Sequence, residues 1–220
     1  FSTAVKYLDV NGITCGGHMA AAMALMESPA IVLAVVLANH ARQQSASGIG
    51  AIQGQSNNAP LGRILHESLT DGAQLLLLGA MLIGVLTGDA GQAAMKPFSV
   101  DLFKGMLAFF LLDMGLLAAR NMGKLKGQSA WLLVYAIVGP LVHAGLALLL
   151  GSLLGMSSGN LALLMVLAAS ASYIAVPAVI RHAIPEANPS LYFGMSLGLT
   201  FPFNILIGIP LYVHVAQLGF

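Results

Sequence analysis

The sequence contains few charged side chains and a single cysteine. Only 8% of its 220 residues are Asp, Glu, Lys or Arg, whereas 58% are hydrophobic; a soluble domain carries about 25% charged residues. So few charges cannot cover a water-soluble globule, and the composition therefore indicates a membrane protein. The formal net charge of +1 gives no basis for a nucleic-acid partner. The lone Cys15 excludes an internal disulfide framework.

Long apolar segments follow one another along the chain, and a transmembrane helix needs about 20 such residues. We expect five spans, at residues 19–39, 74–87, 103–119, 131–154 and 190–217. A sixth apolar region, 160–184, is interrupted. Residues 1–15 predict a short helix that stops at Asn11 and Gly12. The pattern as a whole predicts an all-α polytopic membrane protein.

Residues 41–63 are rich in Gln, Ser, Gly and Asn and have no apolar periodicity. They predict a flexible linker that separates residues 1–40 from a larger block, 64–220. The excess of Lys and Arg in short loops marks the cytoplasmic side. Six basic residues fall on the linker side and three on the other, so we expect a cytoplasmic linker and an outside C-terminus. The two sets are Arg42, Arg63, Arg120, Lys124, Lys126 and Arg181, against Lys6, Lys96 and Lys104.

Residues 1–38 and 174–211 share a pattern: a short helix, a Gly/Pro turn, and a long apolar helix with an early proline. Pro29 corresponds to Pro202, and Glu27 corresponds to Thr200. Five predicted crossings separate the two units, so they would run in opposite directions through the membrane. Inverted repeats with broken helices are typical of secondary transporters, whose sites lie between the repeats.

The apolar helix in region 160–184 is expected to break between Ser170 and Val176. Ser170 and Ser172 compete for backbone hydrogen bonds, and Pro177 removes an N–H group. An opened backbone survives in lipid only where it is buried in protein or lines a cavity. The alternative is a proline-kinked helix that packs closely on its neighbours.

Two polar residues of other spans are further site candidates. Glu27 lies within an apolar span and is a candidate ion or proton site; the alternative is a structural carboxyl group. Asn204, one turn after Pro202, is either a lining residue or a contact between helices. No metal-ligand spacing and no nucleotide-binding motif occurs, so we expect no enzyme activity, no metal site and no cofactor beyond a coupling ion.

The segments AASASYIAVPAVIRHAIPEANPSLY and GLTFPFNILIGIPLY resemble the sodium-dependent bicarbonate transporter superfamily. The resemblance extends to PLVHAGLALLLG and ALMESPAIVLAVVLAN and covers nearly the whole chain. It implies two inverted five-helix halves, each with a broken helix, in a homotrimer of the bacterial inner membrane. On this basis residues 1–40 are the end of the first repeat, 64–220 are the second repeat, and the first three helices are missing before Phe1.

The resemblance implies a substrate site at the second helix break, with Ser170, Ala171, Ser172 and Tyr173 as its residues. The characterised cyanobacterial symporter has aspartate where this chain has Tyr173, and serine where this chain has Ala171. With these differences, the chain resembles the bacterial branch of the family more closely than the cyanobacterial branch. A regulatory protein of the PII type acts on the cytoplasmic connection in this family. The linker would be the corresponding position.

The leading hypothesis is a secondary transporter of a small, bicarbonate-like anion, with sodium as the coupling ion and alternating access as the mechanism. Thr200 and Asn204 of the crossing span would complete one half of the site. The alternatives are a passive channel, an intramembrane hydrolase that uses a serine with His143, and a membrane scaffold. The broken helix argues against a scaffold, which has no need to open its backbone in lipid.

Overall fold

The computed structural model describes residues 1–23, 72–122, 129–171 and 188–218, together with scattered positions between 25 and 37. The regular structure in these ranges is helical, and they contain no strand. The helices are α1 (Ser2–Val10), α2 (Gly72–Lys96), α3 (Phe103–Met122), α4 (Ala130–Leu153), α5 (Ser158–Ala169) and α6 (Leu191–Leu218). A π-helical turn, Pro97–Leu102, joins α2 to α3. The described positions of the predicted span 19–39 are helical. Eight positions of that span, the linker 41–63 and residues 172–187 lie outside the described residues.

The predicted stop of the first helix is confirmed. Helix α1 ends at Val10, and Gly12 has a φ of 68°, a left-handed conformation that glycine adopts without steric cost. The Ile13 amide donates to the Leu8 carbonyl at 2.9 Å, and the Gly12 amide donates to the Asp9 carbonyl at 3.1 Å. These bonds satisfy carbonyls that the end of the helix leaves without intrahelical partners.

Helix α2 continues beyond the predicted span 74–87, but it is kinked where that span ends. Gly88 has a φ of 53° and a ψ of −144°, values that interrupt the helical backbone. The apolar run therefore marks the first helical piece, and the more polar piece after Gly88 extends to Lys96. The apolar pattern could not predict this second piece, because the helical residues after Gly88 have no continuous apolar face.

Helices α4 and α6 are long and apolar enough to cross a membrane. Helix α4 matches the predicted span 131–154, and α6 matches the predicted span 190–217. Leucines at helical spacing on α4 are mostly exposed: Leu146, Leu149, Leu150 and Leu153. Such a continuous apolar stripe on the outside is rare in soluble proteins and fits a lipid-facing surface.

The core lies where α4 and α5 pack against each other and against α1 and the second half of α6. Its largest fully buried side chains are Tyr212, Leu8 and Leu163. Alanines 144 and 147 of α4 are buried, and a Cβ at Gly151 would collide with Leu161 of α5. Small residues therefore bring the backbones of α4 and α5 close together, as is typical of membrane helix pairs.

The segment after α1 is docked on the start of α5. The Gly16 amide donates a 2.7 Å hydrogen bond to the Asn160 side-chain oxygen. A Cβ at Gly159 would collide with the Thr14 carbonyl oxygen, so only glycine permits this approach. The contact fixes one end of α5, and the opposite end of α5 carries the predicted helix break.

Candidate functional site

Helix α5 ends at Ala169, inside the apolar core, where Ala169 is only 2% exposed. Ser170 is extended, with φ −77° and ψ 147°. Its hydroxyl donates to the Val166 carbonyl at 2.6 Å, and its amide donates to the Leu167 carbonyl at 3.1 Å. The serine thus competes for helix carbonyls, as its sequence position predicts, and helical structure stops one residue before the expected start of the break.

The Asn204 side chain of α6 reaches the same helix end. Its Nδ2 donates a 2.8 Å hydrogen bond to the Ala169 carbonyl. The Tyr212 hydroxyl donates to Asn204 Oδ1 at 3.0 Å. The side-chain amide of Asn204 on α6 therefore donates to one of the carbonyls that the end of α5 leaves without an intrahelical partner.

Thr200, one turn before Asn204 on α6, makes a similar contact with α4. It is buried, and its hydroxyl donates a 2.7 Å hydrogen bond to the Ala136 carbonyl of α4. Pro140 lies four residues after Ala136 inside α4. Because proline has no N–H group, it cannot donate to the Ala136 carbonyl. The Thr200 hydroxyl supplies the missing donor.

Two π-helical turns make α6 irregular at these contacts. They span Ser196–Thr200 and Asn204–Gly208, and the Phe201 and Ile209 amides donate to carbonyls five residues earlier. Each turn ends two residues before a proline, Pro202 or Pro210. Prolines remove regular helical hydrogen bonds, and π-turns occur frequently at functional sites. Thr200 ends the first turn, and Asn204 begins the second.

Two of the predicted site residues meet at the end of α5: Ser170 directly follows it, and Asn204 bonds to Ala169. Thr200 lies one turn before Asn204 on α6 and bonds to α4 instead. Ser170 is exposed and Ala171 is half-buried. Ser172, Tyr173 and Glu27 lie outside the described residues. His143, the base of the hydrolase alternative, is exposed on α4 beside the buried Ala144.

The side chains that form these contacts carry no charge. The C-terminal end of a helix carries partial negative charge from its carbonyls, which favours a cation nearby. Hydroxyl and amide oxygens are ligands for hard cations, and hydroxyl groups can also donate to an anion. Within the described ranges, no group of three His, Cys, Asp or Glu side chains could hold a metal ion. The arrangement is suited to reversible binding of a small ion.

Sequence reasoning missed Tyr212 and the pairing of Pro140 with Thr200. Asn204, Gly208 and Tyr212 are spaced by four residues, so they share one face of a helix. This spacing could have linked Tyr212 to Asn204. The pairing with Pro140 could not be predicted, because it depends on the register between α4 and α6.

Comparison with known proteins assigns the chain to one family. No curated protein matches it. The sequence pattern of the Na⁺-dependent bicarbonate transporter superfamily matches residues 1–217, almost the whole chain. This match confirms the family resemblance seen in the sequence, and it agrees with the two apolar helices that are long enough to span a membrane. The chain therefore belongs to the Na⁺-dependent bicarbonate transporter superfamily.

Proposed function

We propose that this protein is a secondary transporter of a small, bicarbonate-like anion, coupled to sodium and working by alternating access. The observation that carries the proposal is the end of α5 at Ala169, inside the core, with its carbonyl bonded to Asn204 of α6. A helix that ends inside an apolar core costs free energy unless its unpaired carbonyls find partners or line a cavity. Family membership supports the substrate class and the coupling ion.

In this proposal the two ions use different parts of the helix break. The carbonyl end of α5, together with Ser170 and Asn204, would favour the sodium ion because its partial charge is negative. The anion would lie against Ala171, Ser172 and Tyr173, with Thr200 on the crossing helix completing this half of the site. Tyr173 supplies a hydroxyl donor in place of a carboxylate, and Glu27 would be a separate ion or proton site.

The irregular helix α6 supports the alternating-access mechanism. Its two π-turns and two prolines reduce the number of regular hydrogen bonds that hold it straight. Its side chains instead bond to α4 through Thr200 and to α5 through Asn204. Side-chain bonds of this kind can exchange partners, whereas the backbone bonds of a regular helix cannot do so without unfolding it.

The test is transport by the full-length protein reconstituted in liposomes. Radiolabelled bicarbonate uptake is measured with an inward sodium gradient, with a choline gradient and with a proton gradient, and empty liposomes are the control. We expect accumulation above the external concentration with the sodium gradient alone. Flux that equalises the concentrations without accumulation would support a passive channel. No flux of bicarbonate or another small anion under any gradient would overturn the transport function.

We also propose a homotrimer in the bacterial inner membrane, with the linker 41–63 facing the cytoplasm. Native mass spectrometry of the detergent-solubilised protein tests the assembly, with a trimer mass expected and a monomer mass contradicting it. Labelling of a cysteine introduced at Ser45 by a membrane-impermeant reagent tests the orientation. Labelling is expected in inverted vesicles but not in right-side-out vesicles, provided that Cys15 is first replaced by Ser.

A further inference from the structure

Tyr212 is a buried polar side chain to which the proposed function gives no role. It is 2% exposed and among the largest fully buried side chains in the described core. Its hydroxyl is bonded to Asn204, eight residues earlier on α6. A buried tyrosine hydroxyl normally finds a hydrogen-bond partner, but here the partner is itself bonded to the end of α5.

The hydrogen bonds determine how the Asn204 amide is oriented. The Ala169 carbonyl can only accept, so the Nδ2 end of the amide must face it, at 2.8 Å. This orientation leaves Oδ1 for the Tyr212 hydroxyl, at 3.0 Å. The tyrosine thus holds the acceptor end of an amide whose donor end holds α5. Without the hydroxyl, the amide is free to rotate away from Ala169.

Gly208 provides the space in which this chain of hydrogen bonds forms. A Cβ at this position would lie 2.6 Å from Asn204 Oδ1 and 3.0 Å from Tyr212 Cε2. Both distances are shorter than ordinary van der Waals contact. A glycine between Asn204 and Tyr212 is therefore required for the two side chains to meet.

We propose that Tyr212 is a positioning residue of the transport site: it holds the Asn204 amide on the Ala169 carbonyl and so fixes the end of α5 against α6. This inference rests on the proposed transport function. A site that is correctly formed for only part of the time binds its ligand with proportionally lower apparent affinity. Loss of the Tyr212 hydroxyl should therefore raise KM and leave the maximal rate nearly unchanged.

The transport test uses four full-length variants: Tyr212→Phe, Asn204→Ala, the double variant, and Tyr192→Phe. The control removes a hydroxyl from another tyrosine of α6, whose ring contacts Phe193. We expect Tyr212→Phe to raise the KM for bicarbonate or sodium about three- to tenfold, with a maximal rate within about twofold of wild type. Tyr192→Phe should change neither constant.

The double variant separates positioning from a general structural role. If Tyr212 acts through Asn204, the double variant has the KM of Asn204→Ala alone, because the tyrosine then has nothing left to position. If Tyr212 instead has a general structural role that is independent of Asn204, the KM increases of the two single variants multiply in the double variant. Multiplying effects, or a Tyr212→Phe variant indistinguishable from Tyr192→Phe, would overturn the inference.

A second measurement does not need transport. The melting temperatures of the same variants in detergent form a double-mutant cycle, and we expect a smaller loss in the double variant than the sum of the two single losses. Coupled melting temperatures without wild-type uptake would overturn the transport function and retain the positioning of Asn204. Normal uptake with additive melting losses would overturn the positioning role and retain the transport function.

Discussion

The hydroxyl of Thr200 donates a 2.7 Å hydrogen bond to the backbone carbonyl of Ala136, the carbonyl that Pro140 cannot reach. A regular helix pairs each carbonyl with the amide four residues later, and proline lacks that amide. A threonine of another helix fills the place of the missing donor. The contact therefore allows a proline to remain inside α4 without leaving a buried carbonyl unpaired.

Thr200→Val should destabilise the protein in a manner that depends on Pro140. Valine keeps the shape of threonine but leaves the Ala136 carbonyl without a donor, at a cost of about 1–2 kcal/mol. In a Pro140→Ala background the residue 140 amide can donate to Ala136, so the same substitution should cost less than about 0.5 kcal/mol. Equilibrium unfolding in mixed detergent, compared across the four proteins, measures both costs.

Thr200→Ser provides the matched control, because it keeps the hydroxyl and removes only a methyl group. It should retain most of the stability that Thr200→Val loses. An equal cost of Thr200→Val in both backgrounds would contradict the compensation between Thr200 and Pro140.

Local sequence signals predicted the parts of the fold that depend on neighbouring residues. The stop at Gly12, helices α4 and α6, and the end of α5 near Ser170 follow from turn residues, apolar length and competing hydroxyls. The piece of α2 after Gly88 and the two π-turns of α6 were not predicted. The first depends on the left-handed conformation of Gly88, and the second depends on backbone hydrogen bonds that are rearranged before the prolines of α6. Neither feature changes the apolar pattern of the sequence.

Gly208→Ala should disturb the Asn204–Tyr212 contact despite the higher helix propensity of alanine. The propensity gain is about 1 kcal/mol, but the new Cβ would meet Asn204 Oδ1 at 2.6 Å, and overpacking costs about 1–3 kcal/mol. We expect a lower melting temperature and the same rise in KM as for Tyr212→Phe. Thermal unfolding and uptake kinetics measure the two effects.

Gly145→Ala is the control for this substitution, because a Cβ at Gly145 of α4 has no neighbour within 4 Å. It should leave the melting temperature unchanged or raise it slightly. A Gly208→Ala protein as stable and as active as Gly145→Ala would show that Asn204 and Tyr212 can shift without loss.

Gly159→Ala should detach the segment after α1 from the start of α5. The added Cβ would collide with the Thr14 carbonyl oxygen, which belongs to the backbone and cannot turn aside as a side chain can. The displacement would also weaken the bond from the Gly16 amide to Asn160. We expect a loss of about 1–3 kcal/mol, measured by unfolding, and faster proteolysis near residue 14. Gly17→Ala, whose Cβ would meet nothing within 4 Å, should change neither quantity.

The sequence singles out candidate site residues, but it does not show which atoms they contact. Ser170, Thr200 and Asn204 stand out from the sequence because they are polar residues within apolar spans. Their partners are backbone carbonyls of Val166, Ala136 and Ala169, and every residue has a carbonyl. The register between helices decides which carbonyls are reached, and this register depends on side-chain packing over the whole interface.

Ser170→Ala should weaken ion binding in addition to a modest effect on the fold. The Ser170 hydroxyl donates to the Val166 carbonyl at 2.6 Å. The lone pairs of its oxygen remain free to coordinate a cation at the end of α5. Alanine also removes the donor to the carbonyl of Val166, a residue that is 4% exposed, so we expect a loss of stability of about 1 kcal/mol. We also expect an increase in the KM for sodium of about three- to tenfold, equivalent to about 1 kcal/mol. Ser158→Ala, at the opposite end of α5, removes a hydroxyl from the same helix and should leave the KM for sodium unchanged. Equal KM values for sodium in the two variants would exclude the Ser170 hydroxyl from the cation site.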